Sequence, residues 1–143
     1  MYSKSKISLF SNDAKVNIKN RSILKKFIEE IFKKERKEIE FANFIFCSDK
    51  TILNINRQYL KHDYYTDIIT FNLSETDDIQ GEIFISIDRV RENAHKLGVS
   101  FNSELHRVIF HGILHLCGYR DQTKFEKNKI REKEDFYLTW YLT

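Results

Sequence analysis

Apolar and polar residues alternate along parts of this chain, and these stretches predict β-strands. Runs of β-branched and aromatic residues at 38–47, 66–73 and 79–87 each predict one strand. The last two runs are separated by a short polar turn, which predicts a hairpin. Weaker alternation within residues 1–18 predicts one or two further short strands around a polar turn. About four strands are therefore expected.

Apolar residues three and four apart predict helices between these strands. The clearest stripe follows the predicted cap Asn20, its opposite face is lysine and glutamate, and its apolar residues are Ile23, Leu24, Phe27, Ile28 and Ile31. The other predicted helices are one capped by Ser48 or Asp49 and reaching Tyr59, one from Asp88 to Gly98 with Ala94 and Leu97 inward, one starting at Ser100 or Asn102, and one over 124–142 with Phe125, Ile130, Phe136, Tyr137, Trp140 and Tyr141 on its apolar face.

The mixture of elements predicts an α/β (α+β layered) fold in which a mixed sheet of about four strands packs against helices. The helix over 105–117 is apolar nearly all round, so it is expected to be central and buried. No linker or internal repeat divides the sequence. The 143 residues are therefore expected to form one domain over 1–143.

Composition narrows the class of protein only slightly. Hydrophobic residues are 41% and charged residues 31%, which is globular, and the net charge of +3 is compatible with RNA binding without demonstrating it. Cys47 and Cys117 lie in apolar stretches and are expected to be reduced core thiols. Neither a signal peptide nor an apolar run of membrane length occurs, so a cytoplasmic protein without membrane contact is expected.

Candidate chemistry is concentrated at the end of the buried helix. His111 and His115 share a helix face, Gly118 suits a left-handed helix end, and the returning chain brings Asp121 to the same point. Two imidazoles and a carboxylate at this spacing form a credible catalytic zinc set with one position open. The alternative is that both histidines are core residues bonded to backbone. Gly112 costs roughly 1 kcal/mol relative to alanine, so a neighbouring group is expected close to the helix there.

Residues 111–119 read H-G-I-L-H-L-C-G-Y and resemble the signature H-G-x-L-H-L-x-G-Y-D-H of the YbeY-type endoribonucleases. Residues 55–60, Asp63 and 66–71 are similar to the family pattern L-N-x-x-Y-R-x-x-D-x-P-T-D-V-L-S-F. Residues 81–86 resemble its strand G-D-I-x-I-S. Glu104 and Glu134 also stand where the family has similar residues.

The resemblance implies a zinc-dependent, single-strand-specific endoribonuclease with one Zn²⁺ per chain, held by His111, His115 and Asp121. It also implies maturation of the 3′ end of the small-subunit 16S rRNA, a role in ribosome biogenesis and quality control, and association with the ribosome and small-subunit proteins. A monomer is expected, although the sequence leaves the oligomeric state open.

Departures from the family pattern affect the expected activity. Asp121 replaces the third metal histidine, Arg120 the preceding aspartate and Tyr65 a proline, while Leu60 replaces the arginine associated with nuclease activity. Arg57 and Lys61 flank Leu60 and are candidates to take over that arginine's role. The catalytic residues predicted from these comparisons are Arg120, Arg57 and Asp67.

Two other functions stay open at this level. A metalloprotease-like hydrolase would place a glutamate directly after the first histidine as general base, but that position is Gly112. A non-catalytic, ribosome-associated factor would keep the metal as a structural clip. The leucine at position 60 is the observation that favours the second alternative.

Overall fold

The computed structural model describes residues 5–61 and 66–142. The strands are β1 (Ile7–Ser11), β2 (Ile39–Cys47), β3 (Ile68–Asn72) and β4 (Ile79–Ser86), and the helices are α1 (Arg21–Lys34), α2 (Asp49–Ile55), α3 (Ile87–Leu97), α4 (Phe101–Leu116) and α5 (Lys124–Leu142). A π-helical turn, Asn56–Leu60, continues α2. None of the helices within the described ranges is long and apolar enough to cross a membrane.

The four strands form one mixed sheet in the order β1-β2-β4-β3. β1 pairs with β2 and β2 with β4 in parallel, whereas β3 pairs with β4 antiparallel, with Ile69 opposite Phe84. The predicted hairpin is this β3–β4 pair. The predicted α+β fold with a four-stranded mixed sheet is confirmed.

The sheet divides its side chains between two apolar clusters because successive residues of a strand point to opposite faces. On β4, Ile83 and Ile85 join the large core that includes buried residues of α1, α4 and α5. Phe84 belongs to the smaller cluster around Ile52 of α2 and Ile69 of β3. The helix α4 therefore lies on the better covered face of the sheet.

Gly112 lets α4 approach the sheet closely. A Cβ atom at this position would lie 3.0 Å from Ile68 Cδ1 and 3.1 Å from Ile83 Cγ2. The close approach expected from the sequence is thus made by two sheet side chains. It brings the histidine-bearing end of α4 against β3, and this contact positions the candidate site.

Three expectations about the other helices are wrong in detail. Asn20 precedes α1 but has a left-handed conformation, φ 56°, and its side chain makes no cap hydrogen bond. The α3 helix is capped by Ser86, whose Oγ accepts from Arg89 N, and Asp88 lies in its first turn. Leu97, expected inward, is 59% exposed. The first two errors concern helix starts, where other polar residues stand within two positions, and the third concerns the last residue of α3.

The predicted apolar face of α5 is only partly buried. Ile130 and Tyr137 lie in the core as expected, but Phe125, Phe136 and Trp140 are among the most exposed large side chains of the described chain. Glu134 is buried in their place. The side of a helix that is buried depends on its partners, and this helix turns a carboxylate toward α4.

An acidic side chain joins the ends of β1 and β2. Asp13 accepts hydrogen bonds from Ser48 Oγ at 2.5 Å, Thr51 Oγ1 at 2.6 Å and Ser48 N at 2.9 Å. The hydrogen bond from the Ser48 side chain, followed by that from Thr51, lowers the pKa of Asp13 from 3.8 to about 2. Because the folded protein binds this proton more weakly than the unfolded chain, the stabilisation is present above pH 4 and is lost as the pH falls through 2.

We expect Asp13→Asn to lower the free energy of unfolding by about 1 kcal/mol at neutral pH, a modest effect because solvent screens an exposed carboxylate. Thermal unfolding at a series of pH values measures this difference. It should shrink between pH 4 and pH 2, where Asp13 itself becomes protonated. Asp77→Asn, in the exposed turn between β3 and β4, is the control. A difference that did not vary with pH would contradict the assignment.

Candidate metal centre

The imidazoles of His111 and His115 meet one turn apart on α4, with their Nε2 atoms 3.0 Å apart. The Asp121 carboxylate completes the group. Its Oδ2 atom lies 3.3 Å from His115 Nε2 and 3.4 Å from His111 Nε2. Among the described residues, these three are the group of histidine and acidic side chains that could hold a metal ion.

The end of α4 explains why Asp121 returns to the histidines. Gly118 has φ 103°, a conformation that favours glycine, and its N–H donates to His115 O at 3.0 Å. The next N–H, from Tyr119, donates to Leu114 O at 3.0 Å. This pair of hydrogen bonds is the Schellman motif, which ends a helix and reverses the chain. Asp121 is thereby carried back over the last turn of α4.

The chemistry and spacing of the donor atoms fit a divalent ion of the zinc type. Two atoms bound tetrahedrally to zinc at about 2.05 Å stand about 3.3 Å apart. The three separations observed here, 3.0, 3.3 and 3.4 Å, are the edges of such a triangle. The side chains are 22%, 27% and 39% exposed, so solvent reaches the centre. A closed structural site would be more deeply buried.

Glu134 of α5 orients the first histidine. The Nδ1–H group of His111 donates to Glu134 Oε2 at 2.5 Å, which leaves the Nε2 lone pair facing His115 and Asp121. The other carboxylate oxygen, Oε1, accepts from Arg107 Nη1 at 3.2 Å. Burial lowers the pKa of His111, but the hydrogen bond and charge of Glu134, with the charges of Asp121 and Asp67, outweigh it and raise the pKa.

A half-buried carboxylate holds the turn that carries Asp121. Glu35, just after α1, accepts from Tyr119 Oη at 2.8 Å and from Tyr137 Oη of α5, and Lys133 Nζ lies 3.4 Å away. Burial raises the pKa of Glu35, yet the bonds from Tyr137 and Tyr119 and the charge of Lys133 lower it overall. The end of α1, the turn after α4 and α5 are thus tied together behind the centre.

Two clefts meet at the candidate centre, and Asp67, Ile68, His111 and Asp121 line both. The first, which we call the β3 groove, runs along Thr66 to Asn72 and has a volume of about 620 Å³. The second, which we call the α5 chamber, has a volume of about 460 Å³. Its further lining residues include Glu104, Arg107, Val108, Lys127, Asn128, Ile130, Arg131 and Glu134.

The structure separates the predicted catalytic residues into two groups. Asp67 lies at the junction of the clefts, and Leu60 lines the β3 groove near it. Arg57 is exposed on the π-helical turn, and it is absent from the described lining of either cleft. Arg120 is also absent there, because its side chain is 73% exposed and its Nε lies 3.6 Å from Glu126. The catalytic roles assigned to Arg57 and Arg120 stay predictions.

Some predicted positions cannot be placed. Asp63 and Tyr65, which belong to the family pattern, lie outside the described residues.

The sequence did not predict the roles of two residues that shape the centre, Glu134 and Glu35. The family resemblance included Glu134 but gave it no role at the centre. Glu35 carries no local signal because it lies 84 positions before Tyr119.

Two histidines and a carboxylate at the end of a helix packed on a four-stranded mixed sheet define an α+β class of protein with a solvent-accessible site that could hold a metal ion. The profile of the family described as Endoribonuclease YbeY matches residues 6–141. The chain therefore belongs to the YbeY endoribonuclease family.

Individual relatives agree with this assignment. A Cytophaga hutchinsonii protein named Endoribonuclease YbeY is 48% identical over 134 residues, which cover 93% of this chain and 94% of that protein. A Bacteroides thetaiotaomicron protein of the same name is 54% identical over 92 residues, or 64% of this chain and 67% of the relative. A solution structure of a Thermotoga maritima protein has a TM-score of 0.67 at 33% identity and covers 94% of this chain and 88% of its own.

Proposed function

We propose that the protein is a zinc-dependent endoribonuclease that cuts single-stranded rRNA during maturation of the 3′ end of 16S rRNA. Membership of an endoribonuclease family supports RNA as the substrate. We place its work in ribosome biogenesis in the cytoplasm, in contact with the small subunit. The observation that carries the proposal is the convergence of His111, His115 and Asp121 where the two clefts meet.

The residues around the centre have different expected roles in cleavage. A zinc ion held by His111, His115 and Asp121 would supply Lewis acidity toward a phosphoryl oxygen and would lower the pKa of a bound water. Glu134 fixes the tautomer and orientation of His111. The two clefts give a single RNA strand a path on both sides of the ligands.

Asp67 is the residue best placed to move a proton. Burial raises the pKa of its carboxyl group, the charge of His111 opposes this, and Glu134 adds to it. Asn93 Nδ2 donates to Asp67 Oδ2 at 3.2 Å and fixes the carboxyl orientation. A carboxyl group with a raised pKa beside the reacting centre is suited to general acid–base catalysis near neutral pH.

The two alternative functions differ in their support. The close packing of Gly112 on Ile68 and Ile83 leaves no carboxylate at the position of a protease base, and no other observation favours peptide hydrolysis. A non-catalytic factor with a structural metal is favoured by Leu60, which lines the β3 groove where the family pattern has an arginine. Cosedimentation with small ribosomal subunits, measured beside RNA cleavage, distinguishes this alternative from the nuclease.

We expect protein purified without chelator to contain close to one divalent ion per chain and to cut a single-stranded fragment from the 3′ end of 16S rRNA. The same fragment annealed to its complement should resist cleavage. Removing the metal should stop cleavage, and adding zinc should restore it, because the ligand side chains alone lack a Lewis acid. Elemental analysis and gel electrophoresis of end-labelled RNA make the measurements.

Two outcomes would contradict the proposal. Cleavage that persists after complete removal of metal would show that the centre is not catalytic. Metal-loaded protein that cosediments with small subunits but cuts no single-stranded RNA would establish the non-catalytic alternative.

A further inference from the structure

The α5 chamber contains a buried acid whose carboxyl group makes no hydrogen bond or ion pair with the described residues. Glu104, in the first turn of α4, has 6% of its surface exposed and lines the chamber. No hydrogen bond or ion pair links its carboxyl group to another residue within 5–61 or 66–142. Every fully buried polar side-chain atom in those ranges has a partner, so the oxygens of Glu104 must reach the chamber. Such a carboxyl group can accept hydrogen bonds from a ligand in the chamber.

Unlike Glu104, the neighbouring acid Glu134 and the cation Arg107 make hydrogen bonds or ion pairs with other residues. Glu134 is occupied by His111 and Arg107, and Arg107 also contacts Asp135 at 2.8 Å. Burial raises the pKa of Glu104, and Asp67 adds to this, whereas the charges of Arg107 and Arg131 lower it. The pKa of Glu104 is raised overall, so the acceptor-only carboxylate is the form expected at alkaline pH, where the two cations stabilise its charge.

The remaining walls fit a flat aromatic ring attached to a phosphate. Ile68, Val108 and Ile130 supply apolar surface beside Glu104. Lys127 and Arg131 are exposed members of the lining and lie where a phosphate outside the chamber can be neutralised. The volume of about 460 Å³ is within the range of pockets that enclose small ligands, about 300–1,000 Å³.

We infer that the α5 chamber binds one guanine base of the RNA strand beside the scissile bond, and that Glu104 reads its N1–H and exocyclic amino groups. Guanine is the base whose pairing edge offers two adjacent N–H donors, which match the two oxygens of a carboxylate. Adenine and cytosine each offer one donor next to an acceptor, and uracil offers one donor between two carbonyl oxygens. The inference rests on the proposed function, because it names a subsite of the same centre.

The test measures binding separately from cleavage. Labelled 2′-O-methyl uridine hexamers carry guanine, hypoxanthine, adenine or uracil at one central position, and their affinities are measured by fluorescence anisotropy at about pH 8, where a carboxyl group is ionised. Hypoxanthine has the guanine ring without the amino group, and adenine controls for purine stacking. We expect guanine to bind about tenfold more tightly than hypoxanthine or adenine.

Glu104→Gln gives a readout that a purely structural role would not produce. A glutamine amide pairs an acceptor with a donor, which suits adenine and clashes with the guanine amino group. We therefore expect the preference to move from guanine to adenine by about tenfold. Glu132→Gln, on the exposed side of α5, should leave the preference unchanged. Asn128→Trp should block the chamber from its rim and weaken binding of every hexamer, which tests the site even if Glu104→Gln folds poorly.

The outcomes separate the two proposals. Equal affinity for the four hexamers, or a guanine preference that survives Glu104→Gln, would overturn the chamber assignment even if unmodified RNA is cut. Guanine-selective binding by a protein that cuts no RNA would support the chamber and refute the nuclease.

Discussion

His115→Ala is expected to remove the metal and abolish RNA cleavage in the same protein. The variant keeps only His111 and Asp121 as donors, and a zinc ion in a catalytic site normally needs three protein ligands. Metal content should fall from close to one ion per chain to below about 0.1, and cleavage to background. Elemental analysis and the single-stranded RNA assay measure the two effects. His95→Ala, on the exposed side of α3, is the matched control.

The same variant tests whether the metal contributes to folding. Both histidines lie on the buried helix α4, so the binding free energy of the ion adds to the stability of the folded state. Chelation should therefore lower the melting temperature of the wild type and leave that of His115→Ala unchanged. Full metal content in His115→Ala, or equal responses to chelation, would show that the ion binds elsewhere.

Most of the sheet could be predicted because its strands carry local signals. The β3–β4 hairpin follows from two β-rich runs and the polar turn between them. The burial of α4 follows equally directly, since residues on every side of that helix are apolar. Neither prediction required knowledge of any distant part of the chain. Parallel pairing of β1, β2 and β4 has no such local signal and was seen only in the structure.

The helix errors have a different origin. On α5, the aromatic residues Phe125, Phe136 and Trp140 suggested an apolar face, but burial is decided by which side meets α1 and α4. Phe27 of α1 contacts Trp140 and Tyr141, so the aromatic residues are divided between the core edge and solvent. A sequence pattern gives the period of a helix more reliably than the direction of its inner side.

The candidate site also has one part that the sequence predicts and another part that it does not predict. His111, His115, Gly118 and Asp121 lie within eleven positions, and the helix together with the turn at Gly118 brings the three candidate ligands together. The residues that hold this group come from distant segments. Glu134 is 23 positions after His111 and acts on it only because α5 packs along α4. Contacts of this kind depend on tertiary packing, which local sequence patterns do not reveal.

Replacing Glu134 with alanine is therefore expected to weaken the centre without removing any ligand. His111 Nδ1–H would lose its acceptor, so the ring would no longer be held in the orientation that directs Nε2 toward His115 and Asp121. Arg107 would lose the buried one of its two carboxylate partners and keep its ion pair with the exposed Asp135. Loss of a residue that orients a metal ligand typically costs about 10–100-fold in metal affinity. Competition with a coloured chelator measures this affinity independently of RNA cleavage.

Glu134→Gln separates the hydrogen bond from the charge. Its amide oxygen can still accept from His111 Nδ1–H, but it carries no charge to match Arg107 or to raise the pKa of His111. If orientation is the main role, metal affinity should fall in the order wild type, Gln, Ala, with Gln much closer to wild type. If the charge is the main role, Gln should be as weak as Ala. Glu132→Ala, on the exposed side of the same helix, should bind metal normally, and normal binding by Glu134→Ala would contradict the orienting role altogether.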